Sequence, residues 1–126
     1  MEKINAISGQ IVDASFYIHQ KLGPGLLESV YELILLKELE RRGLKCLRQS
    51  PVSIVFDGIQ IQEGFKADLI VEDLVVIELK ALEAIAPVHL RQLLTYLKLL
   101  NLRVGLLINF GAPLIKNGIK RVMNGF

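Results

Sequence analysis

Glu78 and Lys80 stand at the end of the run Leu74-Val75-Val76-Ile77-Glu78-Leu79-Lys80. The first four residues are apolar, the pattern of a strand covered on both faces. Strand residues two apart project from the same face, so Glu78 and Lys80 share one. Two charges at the end of a buried strand are costly unless they are paired, hydrated or bound to a metal ion. A simple Glu–Lys pair on a sheet end is one reading of them, and a reactive site is the other. Asp68 favours the second. It lies in Phe65-Lys66-Ala67-Asp68-Leu69-Ile70-Val71, the strand expected to pair with Leu74–Lys80 as a hairpin. With a loop of only Glu72-Asp73, Val71 would face Leu74 and Asp68 would point away from Glu78. With the three-residue loop Glu72-Asp73-Leu74, Val71 faces Val75 and Asp68 sits across from Glu78. The shared site requires that odd register, or a bulge with the same effect.

In that register two carboxylates and an ammonium converge on one sheet end. Hard oxygen ligands with open positions suit Mg²⁺ or Mn²⁺. Such an ion polarises a phosphate oxygen and acidifies water, and Lys80 is placed to orient that water or to stabilise charge on the phosphoryl group. The sequence holds no His-x-x-x-His or Cys-x-x-Cys pair, so zinc chemistry has little support. Gln92 and Tyr96, four apart in an expected helix, share a face with His89 one turn earlier. Gln92 is a candidate to orient Lys80 or contact a phosphate. Tyr96 and Tyr31 suit either packing or the rim of the site. His89 is a further candidate for the nucleic-acid rim beside Tyr31, Tyr96, Lys66 and Arg91; otherwise it and His19 read as structural or solvent-exposed, since neither has a second imidazole at ligand spacing. Lys66, Arg91, Lys98 and Arg103, with Lys116, Lys120 and Arg121 further on, are available to a phosphate backbone, which positions a nucleic acid without specifying its sequence. Ordinary solvated charge is the alternative for each. Cys46 reads as a small buried apolar residue.

The elements that must position these groups follow from periodicity. Ile4, Ile7, Ile11, Ala14, Ile18 and Leu22 recur at helical spacing and stop at Gly23-Pro24-Gly25. A second helix is expected from Leu26 to Arg42, ended by Gly43, with apolar residues nearly all round and therefore largely buried. The period then changes. Cys46–Gln49, Val52–Phe56 and Ile59–Gln62 read as short strands with Asp57-Gly58 as a hairpin turn, followed by Phe65–Val71 and Leu74–Lys80. A third helix begins near Pro87 and runs to about Leu100, Val104–Asn109 is a buried strand, and Ile115–Val122 adds a short edge strand or turn. The order predicts a mixed α/β (α+β) domain with a central sheet covered by helices.

Composition sets outer limits. The chain has 126 residues, 52% of them hydrophobic and 22% charged, with a net charge of +2. That apolar share excludes a disordered chain, and apolar runs of about five residues are far short of the ~20 that span a bilayer. One domain over residues 1–126 is the expectation at this length. The opening Met1-Glu2-Lys3-Ile4-Asn5 lacks the layout of a secretory signal, and the single cysteine forms no internal disulfide. A cytoplasmic setting is therefore expected. The charge is too mild to mark a nucleic-acid binder by itself.

The motifs together resemble a known family. Asp68 followed by Glu78-Leu79-Lys80 is similar to the D…ExK signature of the PD-(D/E)XK nuclease superfamily. Gly25-Leu26-Leu27-Glu28-Ser29-Val30-Tyr31 resembles the motif that names the GxxExxY proteins, a branch of that superfamily. Gln92-Leu93-Leu94-Thr95-Tyr96 is similar to the QxxxY helix motif of several branches, and Leu106-Leu107-Ile108-Asn109-Phe110-Gly111 to the segment closing these domains. Ala67 stands where the signature has proline. The resemblance implies a restriction-endonuclease-like core, a mixed sheet flanked by helices. It implies Asp68 and Glu78 as metal ligands, the Leu79 carbonyl as a third, Lys80 as the water-positioning residue and Glu28 as a helical acid added to the metal site. Glu28 is otherwise read as an acid favoured by the dipole at a helix start. The expected function is Mg²⁺- or Mn²⁺-dependent hydrolysis of nucleic acid, DNA first, as an endo- or exonuclease, with a homodimer or partner protein helping to grip a duplex. A non-catalytic module on the same fold, binding nucleic acid or protein, is the alternative. A structural domain whose Glu78 and Lys80 form a salt bridge is a third reading.

Overall fold

The computed structural model describes residues 1–125, the side chain of Glu63 excepted. Helix α1 (Glu2–Leu22) buries Ile4, Ile7, Ile11, Ala14 and Ile18 along one stripe, as their spacing requires. Helix α2 (Glu28–Arg41) ends in a Schellman turn: Gly43 takes φ 85, its N–H donates to Glu40 O at 2.9 Å, and Leu44 N–H donates to Leu39 O at 3.0 Å. The expectation that α2 is largely buried is corrected. Tyr31, Glu32, Leu35 and Leu39 are buried, whereas Leu27, Val30 and Leu33 are exposed. Only one stripe of the helix meets the sheet and α1, and aliphatic content alone does not say which.

The four short strands expected between Cys46 and Val71 are two long ones, β1 (Cys46–Phe56) and β2 (Ile59–Val71), joined by Asp57 (φ 48) and Gly58 (φ 79). Both turn residues adopt the left-handed conformation that suits the twist of a two-residue hairpin. Pro51 does not break β1, because β1 lies at the edge of the sheet, where a missing N–H removes no interior ladder bond. Strand β3 (Val75–Lys80), helix α3 (Pro87–Leu100), strand β4 (Val104–Asn109), the single turn α4 (Ile115–Gly118) and strand β5 (Ile119–Met123) complete the order. Among the described residues five strands form one sheet in the order β1-β2-β3-β4-β5. Only β3 and β4, linked through α3, run parallel; the remaining neighbours are antiparallel.

Two apolar layers sandwich this mixed sheet. Ile11, Ile18, Tyr31, Leu35 and Leu39 of α1 and α2 pack on Leu69, Val75, Ile77, Leu79, Leu106 and Ile108. On the other face Leu93 and Leu97 of α3 pack on Val52, Ala67, Ile70, Val76 and Leu107. Leu93 approaches Gly105 so closely that a Cβ there would lie 2.8 Å from its Cδ1. A mixed sheet flanked by helices is the restriction-endonuclease-like architecture that the motifs imply. No helix among the described residues is long and apolar enough to cross a membrane.

The register between β2 and β3 is the odd one. Val71 pairs with Val75, Ile70 with Val76 and Leu69 with Ile77, leaving Glu72-Asp73-Leu74 as the loop. Glu72 (φ 54) and Asp73 (φ 56) are both left-handed, and Leu74 N–H donates to Val71 O at 3.0 Å. The loop is tied to the chain before β1, where Lys45 N–H donates to Glu72 Oε2 at 2.6 Å and accepts Glu72 N–H on its carbonyl at 2.8 Å.

Candidate active site

The β2–β3 ladder stops one residue before Asp68 and Glu78. There the side chains replace the backbone as acceptors: Leu79 N–H donates to Asp68 Oδ2 at 2.8 Å, and Asp68 N–H donates to Glu78 Oε1 at 3.3 Å. On the opposite side of β2, β1 pairs through Arg48–Leu69 and Ser50–Ala67 but skips the intervening Gln49–Asp68 position. Packing records the same discontinuity. Leu69 and Val71 belong to the layer under α1 and α2, while Phe65 and Ala67 of the same strand belong to the layer under α3. Strict alternation would put all four on one face, so β2 changes face at Asp68. The two carboxylates therefore meet where the sheet splits, with Lys80 two residues further along β3.

Burial and charge act together on this cluster. Glu78 is 8% exposed, and its carboxyl is pushed up to about 9 by burial first, then by the charge of Asp68 and a hydrogen bond with it, with Lys80 opposing. Glu28, at the start of α2, is also raised. Burial dominates there, Lys80 opposes it, and Asp68 and Glu32 add to it. The Tyr96 hydroxyl is raised by burial and then by Glu78 and Asp68. Glu28, Asp68, Glu78, Lys80 and Tyr96 thus sit in one field. The salt-bridge reading of Glu78 and Lys80 is corrected, because among the described residues the ion pairs are those of Glu38, Asp13, Asp73 and Glu32.

One cleft reaches Asp68, and a second lies between α3 and β2. The first, of about 440 Å³, is lined by Leu27, Glu28, Ser29, Glu32, Arg48, Gln49 and Asp68. The other, of about 370 Å³, gathers Arg91, Gln92, Thr95 and Tyr96 of α3 against Gly64 and Phe65 of β2. Tyr96 stacks on Phe65 with ring centroids 3.7 Å apart. Lys66 is exposed beside Phe65, lining a smaller cleft with Pro51 and Gln62. A larger apolar cleft of about 500 Å³ lies between α1 and α2, and its one carboxylate, Glu38, is held by Arg41 and Arg42.

Several residues considered for the site have structural employment instead. The rim role of Tyr31 is corrected: the residue is fully buried, stacks on Phe110 at 4.6 Å, donates its hydroxyl to Gly23 O and accepts Leu26 N–H at 3.1 Å. It pins the Gly23-Pro24-Gly25-Leu26 loop that delivers Glu28. Tyr31→Phe keeps the stack but orphans that loop, so a stability loss of about 1–2 kcal/mol is expected in urea unfolding. His89 accepts Ala86 N–H on Nδ1 at 3.0 Å and caps the start of α3. His19 Nε2 bonds Ala112 O at 2.8 Å. Arg121 spans from β5 to Asn5 and Ser8 of α1. Cys46 is half-buried, its thiol raised to about 11 by burial.

The structure also brings in residues that sequence reasoning missed. Glu32, one turn beyond Glu28, is buried and receives Arg48 Nε and Gln49 Nε2, each at 2.6 Å. Its spacing from Glu28 was a usable signal. Asn109 closes the buried strand β4 opposite Lys80. Its side chain accepts Leu82 N–H at 2.9 Å and Gly111 N–H at 3.1 Å, and donates to Leu82 O at 2.9 Å. A polar residue ending an apolar run was the signal here. Asn109 anchors the chain that leaves Lys80. Asn109→Ala removes three side-chain bonds to the backbone of Leu82 and Gly111, and a loss of about 1–3 kcal/mol in urea unfolding is expected.

A profile of the PD-(D/E)XK nuclease superfamily matches residues 5–122. The chain belongs to the PD-(D/E)XK nuclease superfamily. No curated protein and no solved structure matches it. Membership implies a nuclease-type function and a nucleic-acid substrate, and nucleases of this superfamily generally use divalent metals. The donor set of the chain fits such a cation. Two carboxylates in contact, one of them forced towards its protonated form by burial and by its neighbour, are groups that a hard divalent ion would hold ionised. Among the described residues no three acidic, histidine or cysteine side chains converge as a ligand group. Asp68 and Glu78 meet as a pair, and Glu28 stands in their field without completing a triad.

Proposed function

We propose that this chain is a metal-dependent nuclease of the GxxExxY branch that hydrolyses phosphodiester bonds in DNA. The observation carrying this reading is the meeting of Asp68 and Glu78 at the point where β2 and β3 part, with Lys80 next on the same strand. Asp68 and Glu78 would hold Mg²⁺ or Mn²⁺, and the Leu79 carbonyl and Glu28, which stands in their field, would be the further ligands. When bound, the cation supplies Lewis acidity to the scissile phosphate. Lys80 orients the attacking water and stabilises charge on the phosphoryl group. Tyr96, which feels the charge of Glu78 and Asp68, and Gln92 line the second cleft, from which Gln92 would contact the phosphate or steady Lys80. Arg91 and Lys66 lie on the outer rim, where exposed cations add affinity without sequence preference.

The direct test incubates purified protein with supercoiled, linear and single-stranded DNA and with RNA, in Mg²⁺, in Mn²⁺ and in chelator. DNA cleavage that needs the divalent ion is expected. Salt-sensitive DNA binding that persists in chelator, with no turnover under any condition, would overturn it in favour of a non-catalytic binding module.

A further inference from the structure

We infer that Gln49 and Glu32 are positioning residues for Asp68, an inference that rests on reading Asp68 as a cation ligand. Among the described residues, five non-glycine residues have positive φ. Asp57, Glu72 and Asp73 lie in hairpin turns, and Asn101 caps α3. Gln49, at φ 52, alone lies inside a strand. That conformation strains an ordinary side chain, so something must over-determine it.

The amide of Gln49 supplies the reason. Its Nε2 donates to Glu32 Oε1 at 2.6 Å and to Asp68 Oδ1 at 3.2 Å. Glu32 is only 4% exposed, and its other oxygen is held by Arg48 Nε at 2.6 Å. The anchor is thus a buried carboxylate with both oxygens engaged. Asp68 is fixed from two sides, Oδ1 by Gln49 and Oδ2 by Leu79 N–H at 2.8 Å. A carboxylate gripped on both oxygens cannot rotate, yet each oxygen retains a lone pair for a cation. The left-handed bend that breaks the β1–β2 ladder at this position is what carries the amide to both acids. Partners behind a metal ligand orient it, and losing one weakens ion binding by about 10–100-fold.

Gln49→Gly is the informative variant, because glycine relieves the backbone strain while removing the amide. Calorimetric titration of the whole chain with Mn²⁺ is expected to show a Kd about 10–100-fold weaker than wild type, with the urea unfolding midpoint not lowered in parallel. A second measurement needs no metal: the Tm shifts of Gln49→Gly and Asp68→Asn, alone and combined, are expected to be non-additive because the two residues share one hydrogen bond. Equal Mn²⁺ affinity in wild type and variant, or additive Tm shifts, overturns the inference. If wild type itself fails to bind Mn²⁺, the metal reading falls, and the Tm cycle still decides whether Gln49 holds Asp68.

Discussion

Lys80→Ala is expected to lower divalent-metal-dependent DNA cleavage by about 10²–10⁴-fold, the usual contribution of one positioned catalytic group, while Mn²⁺ still binds. The backbone at this position is independently held. Lys80 pairs with Asn109 across the β3–β4 ladder, and its carbonyl accepts Phe110 N–H at 2.9 Å. Removing the side chain therefore leaves the strand in place. Its ammonium lowers the pKa of both Glu78 and Glu28; its loss lets both rise further but also removes a cation that repels a metal ion, so Mn²⁺, which holds the carboxylates ionised, still binds. Asp68→Asn behaves differently. The amide oxygen still accepts Leu79 N–H, so the fold persists, but the charge that attracts the ion is gone, and both Mn²⁺ affinity and cleavage disappear. Calorimetry beside a plasmid-nicking assay separates the two variants. Unchanged cleavage in both would assign the activity to a contaminant.

Glu78→Gln is expected to stabilise the metal-free protein at neutral pH, by on the order of 2 kcal/mol at pH 7. The sign follows from the direction of the shift. Folding raises the Glu78 carboxyl from 4.5 to about 9. Below the unfolded value the group is protonated in both states and folding carries no penalty. Between the two values the unfolded chain ionises freely and the folded chain does not, so stability falls as pH rises and levels off above about 9. Urea unfolding of the metal-free wild type is expected to show that decline from pH 5 to 9, and Glu78→Gln to flatten it. Saturating Mn²⁺ compensates the same penalty by holding Glu78 ionised, so it should raise the wild-type Tm more at pH 8 than at pH 6. A profile identical in wild type and variant would mean that Glu78 ionises as freely in the folded state as in the unfolded chain.

Most elements were legible before the structure, for reasons that are local. The stripe Ile4-Ile7-Ile11-Ala14-Ile18 specifies a helix because burial needs one face every 3.6 residues. The unbroken apolar runs of β3 and β4 specify strands covered on both sides, and Gly43 and Pro87 mark helix ends through backbone geometry. The register at Asp68 was legible as a condition. Counting showed that a three-residue loop would bring Asp68 across from Glu78 and a two-residue loop would not, since a slip of one residue moves every side chain to the other face. The pairing of Val71 with Val75 decided between them. The segments between Cys46 and Val71 were cut too short. Pro51 and Gly64 punctuate the sequence, but a proline is harmless on an edge strand, and being an edge is a property of the whole sheet.

What the residues determined by themselves is therefore the inventory and its spacing: helices, buried strands, and an acid, an acid and a lysine placed to meet at a strand end. Tertiary structure alone decided what holds those groups and what surrounds them. Tyr31 became a buried staple once Phe110 and the Gly23–Leu26 loop closed around it. Glu78 acquired its raised pKa from burial beside Asp68, and Glu32, Arg48 and Gln49 became a scaffold through bonds between α2 and β1. Periodicity is written in neighbours along the chain. Hydrogen-bond partners and desolvation depend on neighbours in space, which a single sequence does not name.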